Sequence, residues 1–147
     1  MVALIIDIQY YPVNGQHELK EATILPLSSS NHHSHFVFLN SPQFCELSVK
    51  DRKTARFINE ELSVIHYNCG VDLLQDFLDH IPRDALLFVN GHVKKKIFKS
   101  LLPQYRIIDV KIPFNCLSSS KMCDFPYLHT QCSLRNCYKL KSCLYCN

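Results

Sequence analysis

Val2-Ala3-Leu4-Ile5-Ile6-Asp7-Ile8-Gln9 is the stretch on which the reading of the fold turns. Nearly every position is apolar, and Pro12-Val13-Asn14-Gly15 follows as a turn signal, so residues 2–9 are expected to form a buried strand. Working outward, Glu18 to Leu27 reads as a second strand, half-buried at its start. Ser28-Ser29-Ser30-Asn31 breaks it, and His35 to Leu39 supplies a third, which makes an antiparallel meander joined by short turns.

The period then changes. From Ser48 to Leu62 the pattern is helical, with Ser48 as cap, Asp51 at the capping-box position, and Ala55, Phe57, Ile58 and Leu62 tracing one face. Val71 to Ile81 reads as a second helix, with Leu73, Leu74, Phe77 and Leu78 on its apolar side and Pro82 ending it. Ala85 to Val89 is a short apolar strand, and Asn90-Gly91 leads into a basic helix from His92 to Leu102. Arg106 to Ile112 is one more strand, and a serine-rich loop with Cys116 precedes a last helix from about Tyr127 to Leu144. This order predicts a single α/β domain over residues 1–147, with a mixed sheet flanked by helices.

A chain of 147 residues is long enough to bury a core without disulfides. Its formal net charge of +3 permits a polyanionic partner without requiring one. Asp7 interrupts the first apolar run and no basic segment precedes it, so that run is read as neither a secretory signal nor a membrane span. A cytoplasmic or nuclear location, away from membranes, follows as the simplest expectation. In such a reducing compartment eight cysteines point to metal rather than to disulfides.

Five of those cysteines fall beyond residue 120: Cys123, Cys132, Cys137, Cys143 and Cys146. Cys123, His129 and Cys132 stand at zinc-ligand spacing, and His129 and Cys132, three apart, share one face of a helix or its first turn. Cys116 is an alternative to Cys123. The competing expectation is reduced cysteines packed in a core. Cys143 and Cys146 form a dithiol at the chain end, assigned to a frayed tail, and His32, His33 and His35 belong to a solvent-exposed turn.

Three motifs carry a resemblance. Ile5-Ile6-Asp7-Ile8-Gln9 resembles the first motif of the DnaQ-type (DEDDh) exonucleases, with Gln9 at the place of a glutamate. Leu87-Phe88-Val89-Asn90-Gly91 and the following helix resemble the second motif, with lysines where an aspartate stands. Cys132-Ser133-Leu134-Arg135-Asn136-Cys137 resembles the third, with Asn136 at the aspartate. Those enzymes hold two divalent ions with four carboxylates. Of the four only Asp7 is kept, so the resemblance implies a ribonuclease-H-like fold without conventional two-metal catalysis; lysines in the second motif would repel a cation at such a site and mimic its charge.

A narrower resemblance is to the Maelstrom domain, a DnaQ-like fold of the piRNA pathway with degraded exonuclease carboxylates and a Glu-Cys-His-Cys zinc site. Cys132-Ser133-Leu134 is similar to its Cys-Ala-Leu, and Arg52-Lys53 through Phe57 with Gly70 is similar to a feature of short Maelstrom-like proteins. The resemblance implies structural zinc held by Glu21, Cys123, His129 and Cys132, stapling the last helix to the sheet. It departs from the family in the spacing Cys123-x5-His129-x2-Cys132.

Function follows as three expectations. The first is a pseudo-nuclease that binds single-stranded RNA through phosphates at Lys53, Arg56, Lys94, Lys95 and Lys96, joined by Lys50 and Arg52, within RNA silencing. Tyr10 and Tyr11 are assigned either to base stacking or to the core. The second is a ribonuclease of unorthodox chemistry. The third is a module of viral or transposon origin that binds proteins of a small-RNA pathway.

Overall fold

A computed structural model describes residues 1–40, 42–62, 67, 70–112 and 132–146. Five strands form one mixed sheet in the order β3-β2-β1-β4-β5. These are β1 (Ala3–Val13), β2 (Gln16–Pro26), β3 (Ser34–Val37), β4 (Leu86–Val89) and β5 (Arg106–Asp109). The first three pair antiparallel, and β4 and β5 run parallel to β1. Among the described residues four α-helices accompany them: α1 (Val49–Phe57), α2 (Leu74–Asp79), α3 (His92–Leu101) and α4 (Ser133–Cys146).

β1 lies at the centre with both faces covered, which is why its sequence shows so little alternation. Leu4, Ile6 and Ile8 face one way, into a core with Phe36, Phe77, Leu87 and Phe98 beneath α2 and α3. On the other face Ile5 joins Leu25, Cys137 and Leu140 beneath α4. Farther along that face Tyr11 and Val13 join Ala55, Ile58 and Tyr67 at α1. Between these two apolar clusters the same strand carries Asp7 and Gln9, 1% and 8% exposed.

Several boundaries differ from the sequence reading. The hairpin turn is only Asn14–Gly15, both with positive φ as a two-residue primed turn demands, so Pro12 and Val13 belong to β1. β2 pairs across a bulge: Gln9 faces Glu21 but Tyr10 faces Leu19, leaving Lys20 as the extra residue. Helix α2 starts three residues later than expected because the chain at 70–72 runs extended beside β3. There Val71 N and Asp72 N donate to Val37 O, and Leu39 N donates to Asp72 O. Val71, the expected first residue of that helix, and Leu73, expected on its apolar side, are 82% and 56% exposed. α1 is capped by Ser48 Oγ as its sequence implies, but it passes into a π turn at Ile58–Leu62, and Phe57 faces solvent.

β5 stops at Asp109. Residues 110–112 are held instead by Asn90, whose side chain bonds Ile112 N at 2.8 Å and Ile112 O at 3.1 Å. The expected start of the last helix at Tyr127 lies outside the described residues, and the described part of α4 begins at Ser133. Among the described residues no helix is long and apolar enough to cross a membrane.

Candidate functional site

Asp7 sits in the polar gap between α1 and α4. Its Oδ1 accepts a 2.6 Å bond from Lys94 Nζ, and its Oδ2 accepts a 3.0 Å bond from Asn136 Nδ2. Three elements that are distant in sequence meet here. β1 brings the acid, and the first turn of α4 brings the amide. The first turn of α3, which starts at the C-terminal end of β4, brings the ammonium. Gly91 N and Lys111 N both donate to Asp109 Oδ1, at 2.9 and 3.0 Å, which fixes the loop that launches α3.

Burial pushes the Asp7 carboxyl above its ordinary range, against the pull of Lys94 and Asn136. Behind it the Cys137 thiol is also driven well up, chiefly by burial, and points at the carbonyls of Thr23 and Ile5. Cys137 is thus held as a protonated core thiol.

Glu21 occupies the neighbouring position, across from Gln9, and is fully buried. Its Oε1 accepts a 2.5 Å bond from Ser133 N, the first amide of α4, and lies 3.6 Å from His35 Nε2. A carboxylate set against a helix N-terminus meets unpaired N–H groups and the positive end of the dipole. Burial works to raise the Glu21 carboxyl, but His35 and Ser133 outweigh it and hold it at about 2. Beside this pair, Thr23 Oγ1 and Ser133 Oγ lie 2.8 Å apart. Cys132 completes the cap. Its carbonyl accepts Asn136 N at 3.0 Å and its buried sulfur accepts Arg135 N at 3.3 Å.

The bulge accounts for two adjacent charges on one face. As the inserted residue, Lys20 turns to the same side as Glu21, where Nζ donates to Asn59 Oδ1 at 2.8 Å, next to the Tyr11 hydroxyl on the same oxygen at 2.6 Å. Burial lowers the Lys20 ammonium to about 8, with Glu21 pulling the other way. A regular strand would have sent Lys20 into the apolar face beside Ala22.

Of the residues singled out in the sequence, Asp7, Lys94 and Asn136 come into direct contact, and Gln9 lies along the same face. Glu21 and Cys132 meet at the start of α4 through Ser133. Cys123, His129 and Cys116 lie outside the described residues. Among the described residues no group of three or more His, Cys, Asp or Glu side chains is placed to hold a metal ion. Lys53 and Arg56 are exposed on α1, but the three lysines of α3 do not form one patch. Lys94 turns to Asp7, whereas Lys96 lines a separate cleft on the opposite side.

Tyr11 is fully buried and bonded to Asn59, which settles it as a core residue rather than a stacking platform. Tyr10 meets the His17 ring at 4.9 Å. The histidine turn is not idle either. His33 Nδ1 lies 2.8 Å from Tyr138 Oη on α4, and His35 faces Glu21. The roles of His35, Thr23 and Ser133 escaped the sequence reading because strand register pairs His35 with Thr23 across β2 and β3, and the packing of α4 on the sheet brings Ser133 to them. No protein-family profile matches the chain, and no curated protein is significantly similar to it.

Proposed function

We propose that this protein is a catalytically degenerate nuclease of the ribonuclease-H-like class that holds single-stranded RNA by its phosphates without cutting it. The observation that carries the reading is the Lys94 ammonium 2.6 Å from Asp7. A two-metal nuclease needs several carboxylates because each hard cation takes several oxygen ligands. Here one acid is already neutralised by a tethered cation, and amides stand at Gln9 and Asn136. The mixed sheet order, with β1 central and an acid at mid-strand, supports the fold assignment. Exposed Lys53 and Arg56 on α1 supply phosphate contacts, joined by Lys95.

Zinc belongs to this reading as a structural element. Glu21 and Cys132, already adjacent to Ser133, would hold it together with Cys123 and His129. The donor set suits the ion, since thiolate, imidazole and carboxylate are its usual ligands. The Glu21 carboxylate has lone pairs beyond those used by Ser133. When bound, the metal supplies a cross-link between α4 and the sheet and no chemistry.

The test is binding of labelled oligouridylate across a salt series, alongside a cleavage assay in magnesium or manganese. Expected are log–log salt dependence with a slope near −0.7 per phosphate contact, weaker binding in Lys53→Ala and Arg56→Ala, and no cleavage. Metal-dependent cleavage lost in Asp7→Ala would overturn the degenerate assignment, and salt-independent binding would overturn the phosphate contacts. Elemental analysis of wild type and Cys132→Ser tests the metal: one zinc lost in the variant is expected, and a folded, zinc-free wild type refutes it.

A further inference from the structure

On the side of the sheet away from Asp7, an open cleft of about 770 Å³ lies between the start of α2 and α3. Large apolar side chains line it without being buried by it: Leu39 is 58% exposed, Leu73 56%, Val93 44% and Leu74 39%. Scattered exposed leucines need no explanation, but four around one concavity mark an interaction surface. Val93, Ile97 and Leu101 follow each other at four-residue spacing along α3. They give the cleft a straight apolar wall roughly 12 Å long, at 1.5 Å per residue.

The charge on the rim selects the occupant. Glu18 and Asp72 stand on one side with their carboxylates engaged inside the protein: Asp72 Oδ2 accepts Val37 N at 2.8 Å and Glu18 Oε2 accepts Tyr67 Oη at 3.3 Å. On the α3 side Lys96 and His92 are exposed, and Lys96 has no ion-pair partner among the described residues. The cleft therefore carries two carboxylates on one side and, on the α3 side, a lysine with no acid beside it among the described residues, above an apolar floor. A nucleic-acid backbone is a poor fit, because two carboxylates flank the cleft and its floor is greasy.

We infer that this cleft docks an amphipathic helix of a partner protein. Two large apolar side chains three or four residues apart seat against Leu73, Leu74 and Val93, and a carboxylate on the same helix pairs with Lys96. Such helix-in-groove docking reads apolar anchors at one-turn spacing and uses a rim charge to set direction. The surface is independent of the RNA face proposed above and stands or falls separately.

The test is a phage-displayed library of helix-forming peptides panned against the full chain, with affinities of enriched peptides measured by fluorescence anisotropy. Enriched sequences are expected to share the paired apolar anchors and an acid. Binding should weaken at least tenfold in Leu73→Asp and in Lys96→Glu, and Val49→Asp on α1 should leave it unchanged. Changing the peptide acid to lysine should restore binding to Lys96→Glu. Circular dichroism and the milder Leu73→Ser control for folding. No enrichment, or peptides indifferent to both cleft variants, overturns the proposal. A wild-type dimer that Leu73→Asp converts to monomer overturns it in favour of a second copy. Shifts of the Leu73 and Leu74 methyl signals by oligouridylate overturn it in favour of RNA.

Discussion

Toward α2 and α3, β1 presents Leu4, Ile6 and Ile8 to a continuous apolar core. Toward α1 and α4, it presents Ile5, Asp7, Gln9 and Tyr11. One face is stabilised by area removed from water, which is non-directional and insensitive to pH. The other buries acids, and each acid needs its own partner. Within that second face the two carboxylates part company. Asp7, with one lysine and one amide, stays above its ordinary range because burial prevails. Glu21, with a helix terminus and a histidine, falls to about 2. A buried acid is tuned by the number and kind of donors around it more than by depth alone.

The largest test of this contrast compares Lys94→Ala with Phe98→Ala. Both should lose about 3–5 kcal/mol in urea unfolding, one by stranding a buried charge and one by leaving a cavity. Only the Lys94→Ala loss should shrink in an Asp7→Asn background. Lys94→Ala should also regain stability in acid. A carboxyl whose folded pKa is raised contributes its full stability below the unfolded value and loses it as pH rises. Equal losses with and without Asp7→Asn would break the comparison.

Glu21 has the opposite sign. Its folded pKa is depressed from 4.5 to about 2, so its stabilisation is complete above the unfolded value and fades as pH falls through that window. On the order of 3 kcal/mol should be lost there, relative to a Glu21→Gln variant titrated in parallel. Parallel pH curves for the two proteins would sink the assignment of Glu21 as a charged helix cap.

Gly70→Ala probes packing without charge. A Cβ at Gly70 would lie 1.8 Å from Phe38 O, backbone that cannot yield easily. A loss of about 1–3 kcal/mol, the same at every pH, is expected from thermal melts. The smallest effect is set for Tyr138→Phe. It removes the 3.0 Å bond to Asn31 O and the contact with His33, at a cost of about 0.5–1.5 kcal/mol. Together with Lys141 Nζ to Ser30 O and Tyr145 Oη to Leu27 O, that bond fastens the β2–β3 loop to α4. An unchanged melt would mean that the loop is carried by the other two side chains.

Strand and helix types were legible wherever the pattern was long. The apolar run at 2–9, the capped helix after Ser48 and the basic helix from His92 all read correctly, because burial of one face dictates period. The failures have a common cause. Residues 71–73 look helical, yet Val71 and Asp72 bond to the end of β3, and nothing local announces an edge in need of a partner. The bulge at Lys20 was equally hidden, since its signal is the register of the opposite strand. Of the candidate site, Asp7, Lys94 and Asn136 were each picked out, but their contact spans separations of 87 and 129 residues.

What the chain determines by itself is chemical inventory and period: which residue types exist, and that the apolar run around Asp7 is a buried strand. Tertiary structure decided which lysine of Lys94-Lys95-Lys96 meets that acid, and that Glu21 caps a helix more than a hundred residues away. It also decided that Lys96 looks into a different cleft. Period is local and survives in one dimension. Pairing of buried charge depends on register, bulges and helix launch angles, which exist only once the sheet has closed around them.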